Sequence, residues 1–421
     1  MKKVCIIAGK RIPFMRSSTN YMGLPLRELI KPAMDELVSE LKLEGQALGE
    51  VAMGAVNKHA YDFALAREIV MDSKLSPMTP ATDIQKACGT SLETAIFIGN
   101  KIAMGQIDCG IAGGVDTNSD VPIEFKKKFS DRLLKLAAAK TFGDKLKIMA
   151  SFSPKELIPK LPAIKEGRTG KSMGESCEDM AKTWNISREA QDQLAFESQA
   201  KAAKAYKEGF YDDQVVTFKG KKVDGILRET SLDKLAKLKP AFDKTSGKGT
   251  LTAANSTALT DGASCVFLCS EEYAKEHGLE PLAYLTFSQS AAVNYVNDEG
   301  LLMAPAYAVP KLLKQAGLTL QDFDFYEIHE AFAAQVLCTL AAWESEEFCK
   351  NKLGLDKALG KIDREKLNVK GGSLALGHPF AATGGRIITS LAKLLNEKGS
   401  GRGLISICTA GGMGVTAIIE K

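Results

Sequence analysis

Cys88 stands in Q-K-A-C-G-T-S-L-E (residues 85–93), two residues ahead of a helix-start signal. Thr90 and Glu93 have the spacing of a capping box, and Leu92, Ala95 and Ile96 begin an apolar stripe of helical period. Free N–H groups and the positive dipole end at a helix start favour an anion, which draws a cysteine there towards its thiolate. A thiolate beside backbone donors is a nucleophile with an oxyanion site attached. Against this, free cysteines are usually small core residues, and one alone decides nothing. Three more residues lie at element ends: His329 opening H-E-A-F, His378 between Gly377 and Pro379, and Cys408 at the close of a strand. Pro379 is of the type favoured at the first position of a helix. Active sites in open α/β sheets form where strand ends meet helix starts, so all four could converge. Singly, each histidine also reads as a satisfied core residue and Cys408 as strand packing.

Residues of this kind need elements to hold them. Residues 4–8 are a β-rich run closed by Gly9, and Leu29, Ile30, Met34, Leu37 and Leu41 give 24–43 a helical face. Residues 51–56 read as a strand, 64–71 as a helix and 107–114 as a buried strand ending in a glycine turn. After Gly249, T-L-T-A-A-N-S-T-A-L-T-D-G-A-S leads into a strand at 265–269, followed by a strand at 282–287, a helix at 306–316 and a strand at 323–328. A helix is expected from His329, and the charged stretch 344–366 reads as a surface insertion. The end is dense in glycine: G-G-S-L-A-L-G-H-P-F-A-A-T-G-G-R (371–386), a helix, a strand at 403–408, the turn T-A-G-G-M-G and a returning strand. Strands alternating with helices predict an α/β protein with a mostly parallel sheet, and the two ends resemble halves of similar size.

With 421 residues the chain exceeds one ordinary core, so two or three domains are expected. A net charge of +4 does not indicate nucleic-acid binding. Nine cysteines without C-x-x-C spacing, and only four histidines, fit reduced thiols in a cytoplasmic setting and no metal site. No signal peptide or membrane-length apolar run is read.

Between residues 123 and 247 the α/β pattern is interrupted. Residues 124–168 hold twelve Lys or Arg against five Asp or Glu, a window of +7 in a chain of only +4. Phe125, Phe129, Leu133 and Leu136 form a stripe in it, broken later by Pro154, Pro159 and Pro162. The readings are a solvated amphipathic surface, a phosphate-binding face, a partner's helix groove or contact with an anionic membrane. A long helix at 186–209 and a basic turn at Lys219, Lys221 and Lys222 follow.

The chain resembles the thiolases over essentially its whole length. The resemblance is carried by Q-K-A-C-G-T, A-G-G-V-D (112–116), T-A-A-N-S-T-A-L-T-D-G-A, H-E-A-F, G-G-S-L-A-L-G-H-P-F-A-A-T-G and C-T-A-G-G-M-G, in the family's order. H-E-A-F and the insertion before Gly371 look most like the thiolase subunit of fatty-acid oxidation complexes; many other thiolases have Asn where His329 stands. The resemblance implies two βαβαβαββ halves in five α-β-α-β-α layers: residues 1–122 with a return strand at 248–273, an inserted loop domain at 123–247, and a second half at 274–421. It implies a homodimer or tetramer, no metal, and coenzyme A as cosubstrate rather than a fixed cofactor.

By the same resemblance, Cys88 carries the acyl group and His378 activates it. Cys408 moves a proton at the carbon next to the thioester carbonyl, a task within reach of a thiol of ordinary pKa near 8.5. His378 with His329 forms one oxyanion hole, and the backbone N–H groups of Cys88 and Ala410 form the other. Ala410 replaces a common glycine; only its N–H is needed. Thr257 replaces a serine that contacts pantetheine, and Asn255 and Met173 are further expected contacts for CoA or substrate. The implied reaction is cleavage of a 3-ketoacyl-CoA by CoA to acetyl-CoA and a shortened acyl-CoA, or the reverse Claisen condensation. Three alternatives stand beside it: an acetyl-CoA C-acetyltransferase, a β-ketoacyl synthase-like enzyme, against which Cys408 argues, and a CoA-binding subunit without turnover. Expected partners are acyl-CoA, a dehydrogenase/hydratase subunit and a membrane surface touched through 124–168.

Overall fold

The computed structural model describes residues 1–160, 165–297 and 299–421; Pro162 lies outside them. Its strands are β1 (Val4–Arg11), β2 (Met15–Arg16), β3 (Glu50–Met53), β4 (Ala81–Asp83), β5 (Cys109–Asp116), β6 (Thr260–Ser270), β7 (Ala283–Ala292), β8 (Phe325–Ile328), β9 (Arg402–Thr409) and β10 (Met413–Glu420). The helices of the first half are α1 (Leu26–Glu40), α2 (Leu65–Asp72) and α3 (Thr90–Ala103). The excursion holds α4 (Lys127–Ala138), α5 (Phe142–Ala150), α6 (Met173–Thr183), α7 (Arg188–Lys207) and α8 (Leu232–Ala236). There follow α9 (Glu271–Glu276), α10 (Ala304–Ala316), α11 (Ala333–Glu344), α12 (Glu346–Asn351), α13 (Ser373–Leu376) and α14 (Thr383–Lys398).

The strands run in the order β4-β3-β5-β6-β1-β7-β10-β9-β8, with β2 beside β6. Two neighbouring sets joined through β1 and β7, at Cys5↔Tyr284 and Ile6↔Ala283, make one sheet path of the two halves. The expected parallel sheet is found only where helices cross over, at β3–β4, β3–β5 and β8–β9. The other pairs are antiparallel, which corrects that expectation. β6 returns from a long excursion and β10 from a turn in which Gly411 and Gly412 both have positive φ, so neither is bound by a crossover's direction.

Strand side chains alternate between two buried faces. Cys5 and Ile7 of β1 and Cys265, Phe267 and Cys269 of β6 join α1 and α2 in an outer core. Val4, Ile6, Val266 and Leu268 face inwards and meet Leu92, Ala95 and Ile98 of α3 and Ile387, Ile388 and Leu391 of α14. Leu404 and Cys408 of β9 face the opposite outer core, with α10 and α11, while Ile405 and Ile407 face α14. This is the five-layer α-β-α-β-α fold, with α3 and α14 between the sheets. The excursion packs against the second half: Cys177, Met180 and Leu194 of α6 and α7 share the core of α10 and α11.

The middle layer is tight where the starts of α3 and α14 cross. A Cβ on Gly384 would lie 2.4 Å from the Leu92 nitrogen, and Gly385 N–H donates to Ser91 Oγ at 2.8 Å. Gly384→Ala therefore has to push the helices apart and lowers unfolding stability by ~1–3 kcal/mol. Gly143→Ala, where a Cβ meets nothing within 4 Å, leaves it unchanged or higher. Urea unfolding of both checks this; equal midpoints would refute the close-approach argument.

Candidate active site

Cys88 lies in a 3-10 turn, Ala87–Gly89, ahead of α3. The capping box does not form. Thr90 is already inside the helix, and its hydroxyl accepts from Lys86 N–H at 2.9 Å and donates to the Ala87 carbonyl at 2.7 Å. Glu93 instead pairs with Lys86 Nζ at 2.8 Å. The hydroxyl thus fastens the Cys88 turn, in which Ala87 has the left-handed φ of 45°. His329 does not open a helix either: its N–H donates to Ser406 O at 2.9 Å, prolonging β8 along β9, and α11 begins at Ala333. Pro379 precedes a second 3-10 turn, Phe380–Ala382, rather than standing first in a helix.

The helix crossing brings these turns together. Sγ of Cys88 and one ring nitrogen each of His329 and His378 all lie within 4.8 Å of one another. The imidazole centroids are 4.1 Å apart. His378 Nδ1 is bonded to Thr383 Oγ1 at 2.6 Å and His329 Nδ1 to Ser373 Oγ at 2.8 Å, while His329 Nε2 is buried without a partner. The trio's spacing would also reach a metal ion, but no fourth His, Cys, Asp or Glu joins it among the described residues. The His378 N–H is anchored on Thr260 Oγ1 at 2.8 Å, next to Gly377 with φ of 102°.

Cys88, His378 and Cys408 share a cavity of about 250 Å³ whose walls include Met173, Phe242, Leu302, Phe332 and Phe380. Thr257 also lines it, with its hydroxyl donated to Ala331 O at 3.1 Å. Asn255 is fully buried, and its amide is taken up by Thr252 N–H, Asp192 and the Thr250 carbonyl. It braces the loop rather than lining the cavity. The backbone N–H groups of Ala410 and Cys88 both reach the Cys88 sulfur.

Burial governs the electrostatics. It pushes the Cys88 thiol up to about 12, against the pull of the Ala410 and Cys88 N–H groups, with the Asp116 charge raising it further. The resting thiol is therefore protonated, and desolvation outweighs the helix-start effect expected from the sequence. Burial, with the Cys88 charge second, lifts Cys408 well above its ordinary value. Burial first and the Arg386 charge second hold His378 down at about 3; His329 lies well below its ordinary value through burial, His378 and Arg386. Both rings are neutral at physiological pH.

Several supporting residues escaped the sequence reading. Asp116, pushed by burial to about 7, accepts from Val56, Asn57 and Ala381 N–H and so ties the His378 turn to β5. Glu330 accepts from Ser198, Asn368 and Leu374 N–H. Thr383, Ser373 and Arg386 stand behind the rings. A-G-G-V-D and H-E-A-F contain two of these residues, but nothing in their spacing reveals the partners.

The lowered His378 value has a signed consequence. In the unfolded chain the ring protonates near 6.5 and in the fold near 3, so its stabilising effect is complete above pH 6.5 and is lost as pH falls towards 3. Asp116 and Glu327, raised by burial to about 7 and about 8, act oppositely and lose stability as pH rises through those values. His378→Asn removes one titration and isolates it. The stability difference between wild type and variant should shrink by about 1.4 kcal/mol per pH unit below 6.5, measured by urea unfolding from pH 7.5 to 4.5. A constant difference would show that the ring is not held neutral by the fold.

Comparison with known proteins identifies the family. Residues 4–272 match the family model described as thiolase, N-terminal domain, and residues 279–421 that of thiolase, C-terminal domain. The chain is 42% identical to a 3-ketoacyl-CoA thiolase of Shewanella putrefaciens, over 100% of this chain and 97% of the relative. The same identity and coverage hold for a 3-ketoacyl-CoA thiolase of Vibrio cholerae. Human mitochondrial 3-ketoacyl-CoA thiolase in complex with CoA superposes with a TM-score of 0.81 at 27% identity, covering 100% of this chain and 98% of that one. The acetyl-CoA acetyltransferase of Bacillus anthracis gives 0.81 at 29%, covering 100% and 99%. The chain belongs to the thiolase family.

Proposed function

We propose that this enzyme cleaves 3-ketoacyl-CoA with CoA, as in fatty-acid β-oxidation, and runs the reverse Claisen condensation. The observation that carries the reading is one apolar cavity holding two thiols, Cys88 and Cys408, beside a neutral imidazole, His378. His378 takes the Cys88 proton, and the thiolate attacks the 3-keto carbon. The C2–C3 bond then breaks, and Cys408 gives its proton to C2, releasing acetyl-CoA. CoA gives its thiol proton to the Cys408 thiolate and attacks the acyl-Cys88 thioester, and the adduct expels Cys88, which takes back the proton held by His378. N–H groups of Cys88 and Ala410 hold one oxyanion, and His378 with His329 the other. The relatives named 3-ketoacyl-CoA thiolase favour this over an acetyl-CoA C-acetyltransferase, the second reading suggested by the Bacillus anthracis neighbour.

Cys88→Ala should form no acyl-enzyme and lose thiolysis by more than about 10³-fold. Cys408→Ala should keep acetyl exchange with CoA while thiolysis falls ~10²–10⁴-fold. Equal loss of exchange and thiolysis in Cys408→Ala would sink the division of roles. Thiolysis across short, medium and long 3-ketoacyl-CoAs separates the two readings, since activity confined to acetoacetyl-CoA selects the acetyltransferase.

The finer features follow the same reading. The inserted domain spans 123–247, and the chain is a cytoplasmic homodimer or tetramer. β4 leaves one edge of the sheet unpaired, and Tyr61, Phe63 and Met78 are 60%, 83% and 80% exposed. All nine cysteines are free, and no described helix is long and apolar enough to cross a membrane. In 124–160, Phe125, Leu134, Phe142, Leu157 and Ile158 are exposed among lysines. That mixture fits an anionic membrane surface. The protein should float with vesicles containing anionic lipid and stay behind with neutral ones; binding to a dehydrogenase/hydratase subunit without flotation would replace the lipid reading.

A further inference from the structure

We propose that Arg386 and Ser373 are positioning residues that hold His329 in the tautomer with its proton on Nε2. All three side chains are buried, at 2%, 0% and 1% exposure. Arg386 Nη2 donates to Ser373 Oγ at 2.9 Å, and the same oxygen lies 2.8 Å from His329 Nδ1. A serine hydroxyl has one proton and two lone pairs, and a guanidinium can only donate. Arg386 therefore takes a lone pair. If Nδ1 carried the proton it would take the second, leaving the serine proton buried with no acceptor among the described residues. The satisfied arrangement has Ser373 donating to Nδ1, so the single proton of the neutral ring sits on Nε2.

That nitrogen is the one without a protein partner, and His329 shares the cluster with Cys88 and His378. It is thereby a permanent donor for an oxygen bound in the site, and it is closed to a metal ion. His378 differs by one contact. Its Nδ1 meets Thr383 Oγ1 at 2.6 Å, and among the described residues no guanidinium bonds that hydroxyl. The Thr383 hydroxyl can either donate to Nδ1 or accept from it, so both tautomers of His378 are open. Of the two imidazoles, 4.1 Å apart, His329 is thus held as a donor while His378 keeps the tautomer a base needs within reach. Glu327 Oε2 lies 3.8 Å from Arg386 Nη1 and gives the buried guanidinium a carboxyl neighbour.

The value of this to the reaction rests on the acyl-transfer reading, but the tautomer is measured without turnover. With ¹⁵N-histidine in the full-length protein there are only four rings to assign, using His329→Asn and His378→Asn. The expected long-range ¹H–¹⁵N spectrum gives His329 a proton-bearing Nε2 and a bare Nδ1. Ser373→Ala should mix the tautomers at His329 alone and lower kcat by ~10–100-fold with KM little changed; Ser373→Thr should restore both. A wild-type spectrum with the proton on Nδ1 overturns the proposal, whether or not the variants fold. So does a Ser373→Ala protein whose His329 signals do not move. Absence of an acyl-Cys88 adduct would refute the acyl-transfer reading and leave the tautomer result standing.

Discussion

The crossing of α3 and α14 is the contact on which the site depends. Both helices lie between sheets, where only side chains of both halves can reach them, and Gly384 lets the backbones meet without intervening atoms. Their N-termini are the points where Cys88 and His378 enter, and the Ser91 to Gly385 bond sets their relative height. Neither half alone could bring the two together. The pairing of β1 with β7 and the middle-layer core therefore serve one geometric end, the distance between a thiol and a ring.

Burial then fixes the resting protonation. Thiols and imidazoles removed from water all favour their neutral forms, which shifts acids up and bases down. The pocket rests with protons on both cysteines and none in excess on the histidines. Charge appears only when a proton moves, in a site whose fixed donors are already aimed, and that is where such donors act most strongly. A helix-start thiolate present at all times would instead be exposed to any electrophile.

Much of this was legible in the sequence, and the rest was not for definite reasons. The cysteines and histidines announced themselves because each stands at a glycine-rich or helix-start break, and six motifs in order carried the family. The capping box at Thr90 and the helix at His329 misled because short-range patterns cannot tell a helix start from the turn that precedes it. The sheet direction misled because alternation of strands and helices says nothing about strands such as β6 that return after an excursion. Arg386, Ser373 and Asp116 were invisible because their partners lie 13 to 265 residues away along the chain.

The division of labour between core and excursion explains why the chemistry could be read while the acyl preference could not. Cys88, His378 and Cys408 come from the α/β halves, whereas Met173, Gly174 and Phe242 close the cavity from the excursion. Ser172 and Glu175 form a full capping box that fixes Met173 at the first turn of α6. A Cβ on Gly174 would lie 2.0 Å from the Phe242 ring, so that ring packs directly on the α6 backbone. Glu166 reaches back from the excursion to accept Gly411 N–H at 2.8 Å, next to Ala410. The cavity wall at Met173 and Phe242 and the turn at Ala410 are thus braced by one segment. Variation there can reshape the cavity without touching a reacting atom, because the core holds thiols and rings by contacts of its own.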